Sequence, residues 1–160
     1  MPSDADATRV HRAGVPDAAE LFSLVQALAA ENGDAVPDAG TLEGWQRVLG
    51  RPEAVVLLAR RDGAAVGYVS AVRKLHLWLG RDVLALDDLF VRAGHRDAGL
   101  GRLLMAELAR LATAEDLVVR WEMREDNVAA QRFYERLGAR LRRKVVASWG
   151  PEAQRRFLGS

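Results

Sequence analysis

The 160-residue sequence contains no cysteine. Disulfides, thiolate metal sites and a covalent intermediate on cysteine are therefore excluded. Lysine is scarce as well: Lys74 and Lys144 are the only two among 23 basic residues, a bias towards arginine that, with abundant alanine, looks like coding in a GC-rich genome. Those 23 are set against 22 acidic residues for a net charge of +1, too balanced to mark a nucleic-acid surface. No apolar run approaches the roughly 18 residues of a membrane span, and the acidic start MPSDADATRV has no signal-type apolar region. A cytoplasmic protein without a membrane or nucleic-acid partner is expected. His11, His76 and His95 are scattered with no i, i+4 pair, so no metal site is expected. Repeats, low-complexity segments and composition shifts are missing too: residues 1–7 read as a flexible tail and residues 8–160 as a single domain.

What is present centres on LDDLFVRAGHRDAGLGRLLMAELARL, Leu86 to Leu111. An apolar strand, Val83 to Val91, is interrupted by Asp87 and Asp88. Carboxylates inside an apolar strand need a reason. A glycine loop follows, and then a helix with Leu100, Leu103, Leu104, Leu108 and Leu111 at the spacing of one buried stripe. Gly99 and Gly101 thus stand at a helix N-terminus, where unpartnered N–H groups and the helix dipole favour phosphate oxygens. The third glycine of a dinucleotide fingerprint is replaced by Leu104, and no G-K-[ST] of a P-loop occurs.

In chain order, Thr8 to His11 reads as a short strand. A helix begins near Pro16 with Leu21, Leu24, Val25 and Leu28 inward. The segment Glu31 to Gly40 is rich in turn formers and in acids: Glu31, Asp34 and Asp38. Thr41 caps a second helix with Trp45 on its core side. Ala54 to Ala59 and Ala65 to Val72, joined through Asp62-Gly63, read as a hairpin. Leu117 to Met123 alternates as a strand, and its position after a helix favours parallel pairing. Asn127 caps a short helix ended by Gly138, Ala139 to Trp149 is expected to be the last strand, and Pro151 to Leu158 a terminal helix. The fold class is mixed α/β: a mostly antiparallel central sheet flanked by helices.

Two motifs carry a resemblance. Arg96-x-x-Gly99-x-Gly101 meets the acyl-CoA loop pattern Q/R-x-x-G-x-G/A of the GNAT superfamily of N-acetyltransferases, and Asn127, Ala130, Tyr134 and Gly138 resemble its N-x-x-A-x-x-x-Y-x-x-x-G segment. The resemblance implies the acyl-CoA N-acyltransferase fold, with acetyl-CoA as donor. It further implies cofactor contacts from the backbone of Leu89, Phe90 and Val91, from the loop Arg96, Asp97, Ala98, Gly99, Leu100, Gly101 and Arg102, and from Asn127 and Ala130. LDDLFV with FYERLGA is most similar to the diamine (spermidine/spermine) type, which is commonly dimeric, though Asp126 stands where that type usually has tryptophan.

The chemistry places demands on these residues. An alkyl ammonium, with a pKa of about 10.4, must lose a proton before it attacks a thioester. Asp87 and Asp88 are the candidates to receive it. In a regular strand they face opposite sides, and only a bulge would turn both to one; the resemblance favours Asp87. Direct deprotonation, a water relay, anchoring of the ammonium, and a plain salt bridge to an arginine all fit an aspartate here. Tyr134, by resemblance, protonates the departing thiolate. Glu31, Asp34, Asp87 and Glu125 are expected to bind a cationic acceptor, polyamine-like or aminoglycoside-like. A protein lysine or N-terminal acetyltransferase is the alternative enzyme, and a non-catalytic acyl-CoA-binding module the alternative of another class.

Overall fold

The computed structural model describes residues 8–36 and 40–159; the N-terminal tail and Asp38 lie outside the described residues. The chain forms two compact units, Met1–Trp121 and Glu122–Ser160.

The first unit is built on one five-stranded sheet in the order β1-β2-β3-β4-β5: β1 Arg9–Arg12, β2 Ala54–Arg61, β3 Ala64–His76, β4 Arg81–Val91 and β5 Val119–Arg120. The first four are antiparallel in sequence, and β5 is parallel to β4, as expected for a strand reached through a helix. β2 turns into β3 over Asp62 and Gly63, both at positive φ (51° and 79°), the type I′ geometry that matches strand twist.

Each sheet face has its own core. On one, Val55, Leu57, Val69, Ala71, Leu84 and Leu86 pack with Leu100, Leu104 and Leu108 of α3, Leu100–Ala114. On the other, Val56, Leu58, Tyr68 and Phe90 pack with Leu21 and Leu24 of α1, Ala18–Asn32. Trp45 of α2, Leu42–Leu49, packs against that second core, and Thr41 caps α2 by accepting from the Gly44 N–H at 3.1 Å. Arg60 of β2 fastens the sheet to the start of α1. Its guanidinium donates twice to Glu20 at 2.6 Å and once to Asp17 at 3.0 Å.

The second unit holds α4, Val128–Arg136, and α5, Pro151–Leu158. Two expectations are corrected. The alternating segment Leu117 to Met123 contributes only two residues to the ladder, although Leu117, Val119 and Trp121 do pack inward together. The last strand, Ala139 to Trp149, is not a strand: this stretch is neither helical nor paired among the described residues. Its alternating pattern is real, but a ladder also requires a partner edge.

Candidate active site

β4 carries the site because its register breaks. Ser70 of β3 faces Asp88, while the next residue, Ala71, faces Leu86, so Asp87 is the extra residue of a β-bulge. Leu84 and Leu86 before the bulge, and Leu89 and Val91 after it, all belong to the α3 side. An even step separates each pair, but an odd step joins Leu86 to Leu89. Asp87 and Asp88 therefore share the one position between them on the opposite face, that of Tyr68 and Phe90. Across the break in register the Asp88 N–H donates to the buried Ser70 Oγ at 3.2 Å.

Neither carboxylate is in an ion pair among the described residues, so the salt-bridge reading is not what the structure shows. Burial, and after it the charge of Asp87, pushes the Asp88 carboxyl above the usual carboxylate range. Asp87 is more exposed, and partial desolvation raises its carboxyl, opposed by the positive charge of Lys74. Beside them Tyr68 is fully buried and its hydroxyl has no hydrogen-bond partner. Burial, with Asp88 and Asp87 adding, drives this phenol far above its ordinary value, so it stays protonated. The sequence pattern hid Ser70 and Tyr68 inside an apolar run; a hydroxyl in the middle of a buried strand was the available signal.

At the strand's other end the sheet edge is open. The β4–β5 ladder runs only from Leu84/Val119 to Ala85/Arg120, leaving the β4 edge beyond it without a strand partner among the described residues. The N–H groups of Asp88 and Arg92 point towards β3, onto Ser70 Oγ and the Val66 carbonyl (2.8 Å). By alternation Phe90 points its N–H the same way, and Leu89 and Val91 direct theirs outward. Phe90, expected to offer its backbone to cofactor, is thus committed to the ladder, and its ring to the α1 core.

From Val91 the chain enters a 3₁₀ turn, Ala93–Ala98, which includes Arg96 and Asp97. Gly99 follows at φ 72° and starts α3 with no side-chain cap. The first α3 backbone bond runs from Leu103 N–H to the Gly99 carbonyl, so the N–H groups of Leu100, Gly101 and Arg102 have no intrahelical acceptor. A fifteen-residue helix that starts with free donors carries partial positive charge there. Arg96 contributes anchoring: its Nε donates to the Val91 carbonyl at 2.9 Å, its guanidinium pairs with Glu31, and it lies 5.9 Å from the Phe90 ring centroid.

The other predicted acids differ from Asp87 and Asp88. Glu31 is neutralised by Arg96, and in the second unit Glu125 pairs with Arg143 at 3.1 Å. A carboxylate already matched to a guanidinium has little left with which to draw a cation. Asp34 lies in the turn after α1 and carries no ion pair among the described residues. In the second unit Asn127 caps α4, its side-chain oxygen accepting from the Ala130 N–H at 3.1 Å, and Tyr134 is buried with its ring 5.2 Å from Phe133, edge to face.

A split strand edge beside a helix end with free N–H donors, and paired aspartates on the strand itself, define an acyl-CoA-dependent acyltransferase. The chain matches the family model "Acetyltransferase (GNAT) family" over residues 21–139 and belongs to that family. No curated protein matches its sequence. Solved structures share its fold. One is aminoglycoside N-acetyltransferase AAC(6')-Iy in complex with CoA (17% identity, 94% of this chain and 99% of that one, TM-score 0.79). Another is an aminoglycoside acetyltransferase from an uncultured soil metagenomic sample, in complex with trehalose (18%, 89% and 95%, TM-score 0.76). A third is ribosomal-protein-alanine N-acetyltransferase from Brucella melitensis biovar Abortus 2308 (22%, 90% and 100%, TM-score 0.73).

Proposed function

We propose that this acetyltransferase moves the acetyl group of acetyl-CoA directly to a primary amine of a small cationic acceptor, an aminoglycoside-like or polyamine-like molecule. The observation that carries the reading is the bulge: it gathers Asp87 and Asp88 on one face, without an arginine to neutralise them. Two such carboxylates bind an ammonium group and, with pKa values raised by burial, are better proton acceptors than ordinary aspartates. The free N–H groups at the start of α3 take the pyrophosphate, the outward N–H groups of Leu89 and Val91 take the pantetheine amides, and Tyr134 protonates the departing thiolate. Structural neighbours that act on aminoglycosides support the acceptor class. The enzyme works in the cytoplasm as a homodimer.

The test is release of free CoA across a panel of amines: aminosugars, di- and polyamines, neutral amines, and peptides with free N-termini or lysines. The highest kcat/KM is expected with a small polycation, falling by about 10²-fold or more in Asp87→Asn, as for loss of a proton acceptor. Preference for a peptide would replace this acceptor class, and acetyl-CoA binding with no CoA release from any amine would leave a binding module.

A further inference from the structure

Tyr68 is a phenol where the packing asks only for a ring. It stands on β3 opposite Phe90 of β4 and is fully buried among Leu21, Leu24, Val56 and Leu58, its ring centroid 6.2 Å from that of Phe90. A phenylalanine would fill this place as well. The hydroxyl has no hydrogen-bond partner among the described residues, and a buried donor left in that condition lowers stability. An orphan of this kind in a folded chain points to a use beyond packing.

The register of the sheet shows where an acceptor lies. Tyr68 faces Phe90 and Ser70 faces Asp88, so Tyr68 and Asp88 are diagonal neighbours of an antiparallel pair, a spacing of about 7–8 Å that an aromatic side chain spans. They also share a face, the one on which the bulge places both aspartates. The negative charge of Asp88, and after it that of Asp87, reaches the phenol. Asp87 is exposed and Asp88 half-buried, so Asp88 is the inner carboxylate, between Asp87 and the core. Other charges near this face are already matched or turned to solvent: α1 brings Glu20 and Glu31, paired with Arg60 and Arg96, and α2 the exposed Glu43 and Arg47.

We propose that Tyr68 is a positioning residue: its hydroxyl donates to one oxygen of the Asp88 carboxylate, which holds the amine with the other, while the more exposed Asp87 takes the proton. A carboxylate accepts at two oxygens, so a bond from the core leaves one for the substrate. A turn of the half-buried Asp88 side chain to another staggered rotamer brings it onto the hydroxyl. A hydrogen bond to the charged form also offsets the desolvation that burial imposes on Asp88. The inference rests on the acetyl-transfer reading given above and divides its two carboxylates into an anchor and a base.

Tyr68→Phe keeps the ring against Phe90 and removes only the hydroxyl. Carbon-13 NMR of the Asp88 carboxyl in the full-length protein is followed through pH in an Asp87→Asn background, so that one carboxylate of the pair titrates. Adding Tyr68→Phe is expected to raise the midpoint by about one pH unit, as for loss of one hydrogen bond to a charged group. An unmoved or lowered midpoint would overturn the proposal. Melting at pH 7 reads the same bond with Asp87 intact: removing a donor that serves Asp88 lowers the melting temperature of Tyr68→Phe, whereas removing an orphan raises it, and a rise contradicts the bond. Against the best amine of the panel, KM is expected to rise about 10-fold with kcat little changed, the mark of a lost anchor. A shifted midpoint in a chain that releases no CoA with any amine keeps the Tyr68–Asp88 bond and overturns the transfer reading; an active chain with an unmoved midpoint overturns the bond alone.

Discussion

The Asp88 N–H donates to Ser70 Oγ at 3.2 Å, a side-chain bond made at the break in the β3–β4 register. Ser70→Ala removes this part-buried hydrogen bond, at a cost of about 1 kcal/mol, or roughly 2–4 °C in melting temperature in a chain of this size. Activity is expected to fall further than stability alone explains, because the bulge fixes the two carboxylates. Equal losses in Tm and kcat would reduce Ser70 to packing.

Asp88→Asn should trade in the other direction. The folded-state pKa of Asp88 lies above its ordinary value because burial disfavours the charge. As pH rises the unfolded chain ionises first, and ionised Asp88 destabilises the fold at neutral pH. Below about pH 3.9, the reference value, both states are protonated and the effect vanishes. The variant is therefore expected to melt higher than wild type at pH 7 and no differently near pH 3, with kcat/KM reduced. A variant that melts lower at pH 7 contradicts the assigned burial.

The loop separates two glycine roles. Gly99 sits at φ 72°, so Gly99→Ala should cost about 1 kcal/mol through backbone strain. Gly101 lies in the first turn of α3, where Gly101→Val is expected to keep the fold but abolish the rise in melting temperature that acetyl-CoA produces. Undiminished cofactor stabilisation in Gly101→Val would move the pyrophosphate elsewhere.

Tyr134→Phe retains the ring against Phe133 and removes the proton. A fall in kcat of about 10²-fold is expected, with KM for acetyl-CoA little changed. Wild-type turnover between pH 6 and 9 would leave Tyr134 a packing residue.

Arg60→Ala tests the clamp between sheet and α1. Glu20 is held below its usual range chiefly by its hydrogen bonds to Arg60, and Asp17, though burial raises it, is brought below by the Gly14 N–H and Arg60. Their stabilisation is present above the unfolded values and lost as pH falls through the folded ones. Removing Arg60 should cost about 2 kcal/mol at pH 7, and denaturant melts should show the difference shrinking towards pH 3.

Elements governed by near neighbours in sequence were legible. The α1 stripe, the Thr41 and Asn127 caps, the Asp62-Gly63 turn and the glycine-led start of α3 each depend on a few adjacent residues. The bulge was visible only as a choice between two geometries. Which was adopted depends on Ser70, eighteen positions away, and cross-strand register is not written in either strand alone. The same holds for residues 139–149, where alternation predicts a strand but cannot supply its partner, and for Glu31 and Glu125, whose charge is cancelled by distant arginines.

A single strand, β4, bears both the aspartate pair and, from the next residue on, the outward N–H groups of Leu89 and Val91. At about 3.3 Å per residue that strand acts as a ruler: the interval between the proposed amine site and the proposed pantetheine contacts is set by covalent geometry, and the loops around it can vary without changing that interval.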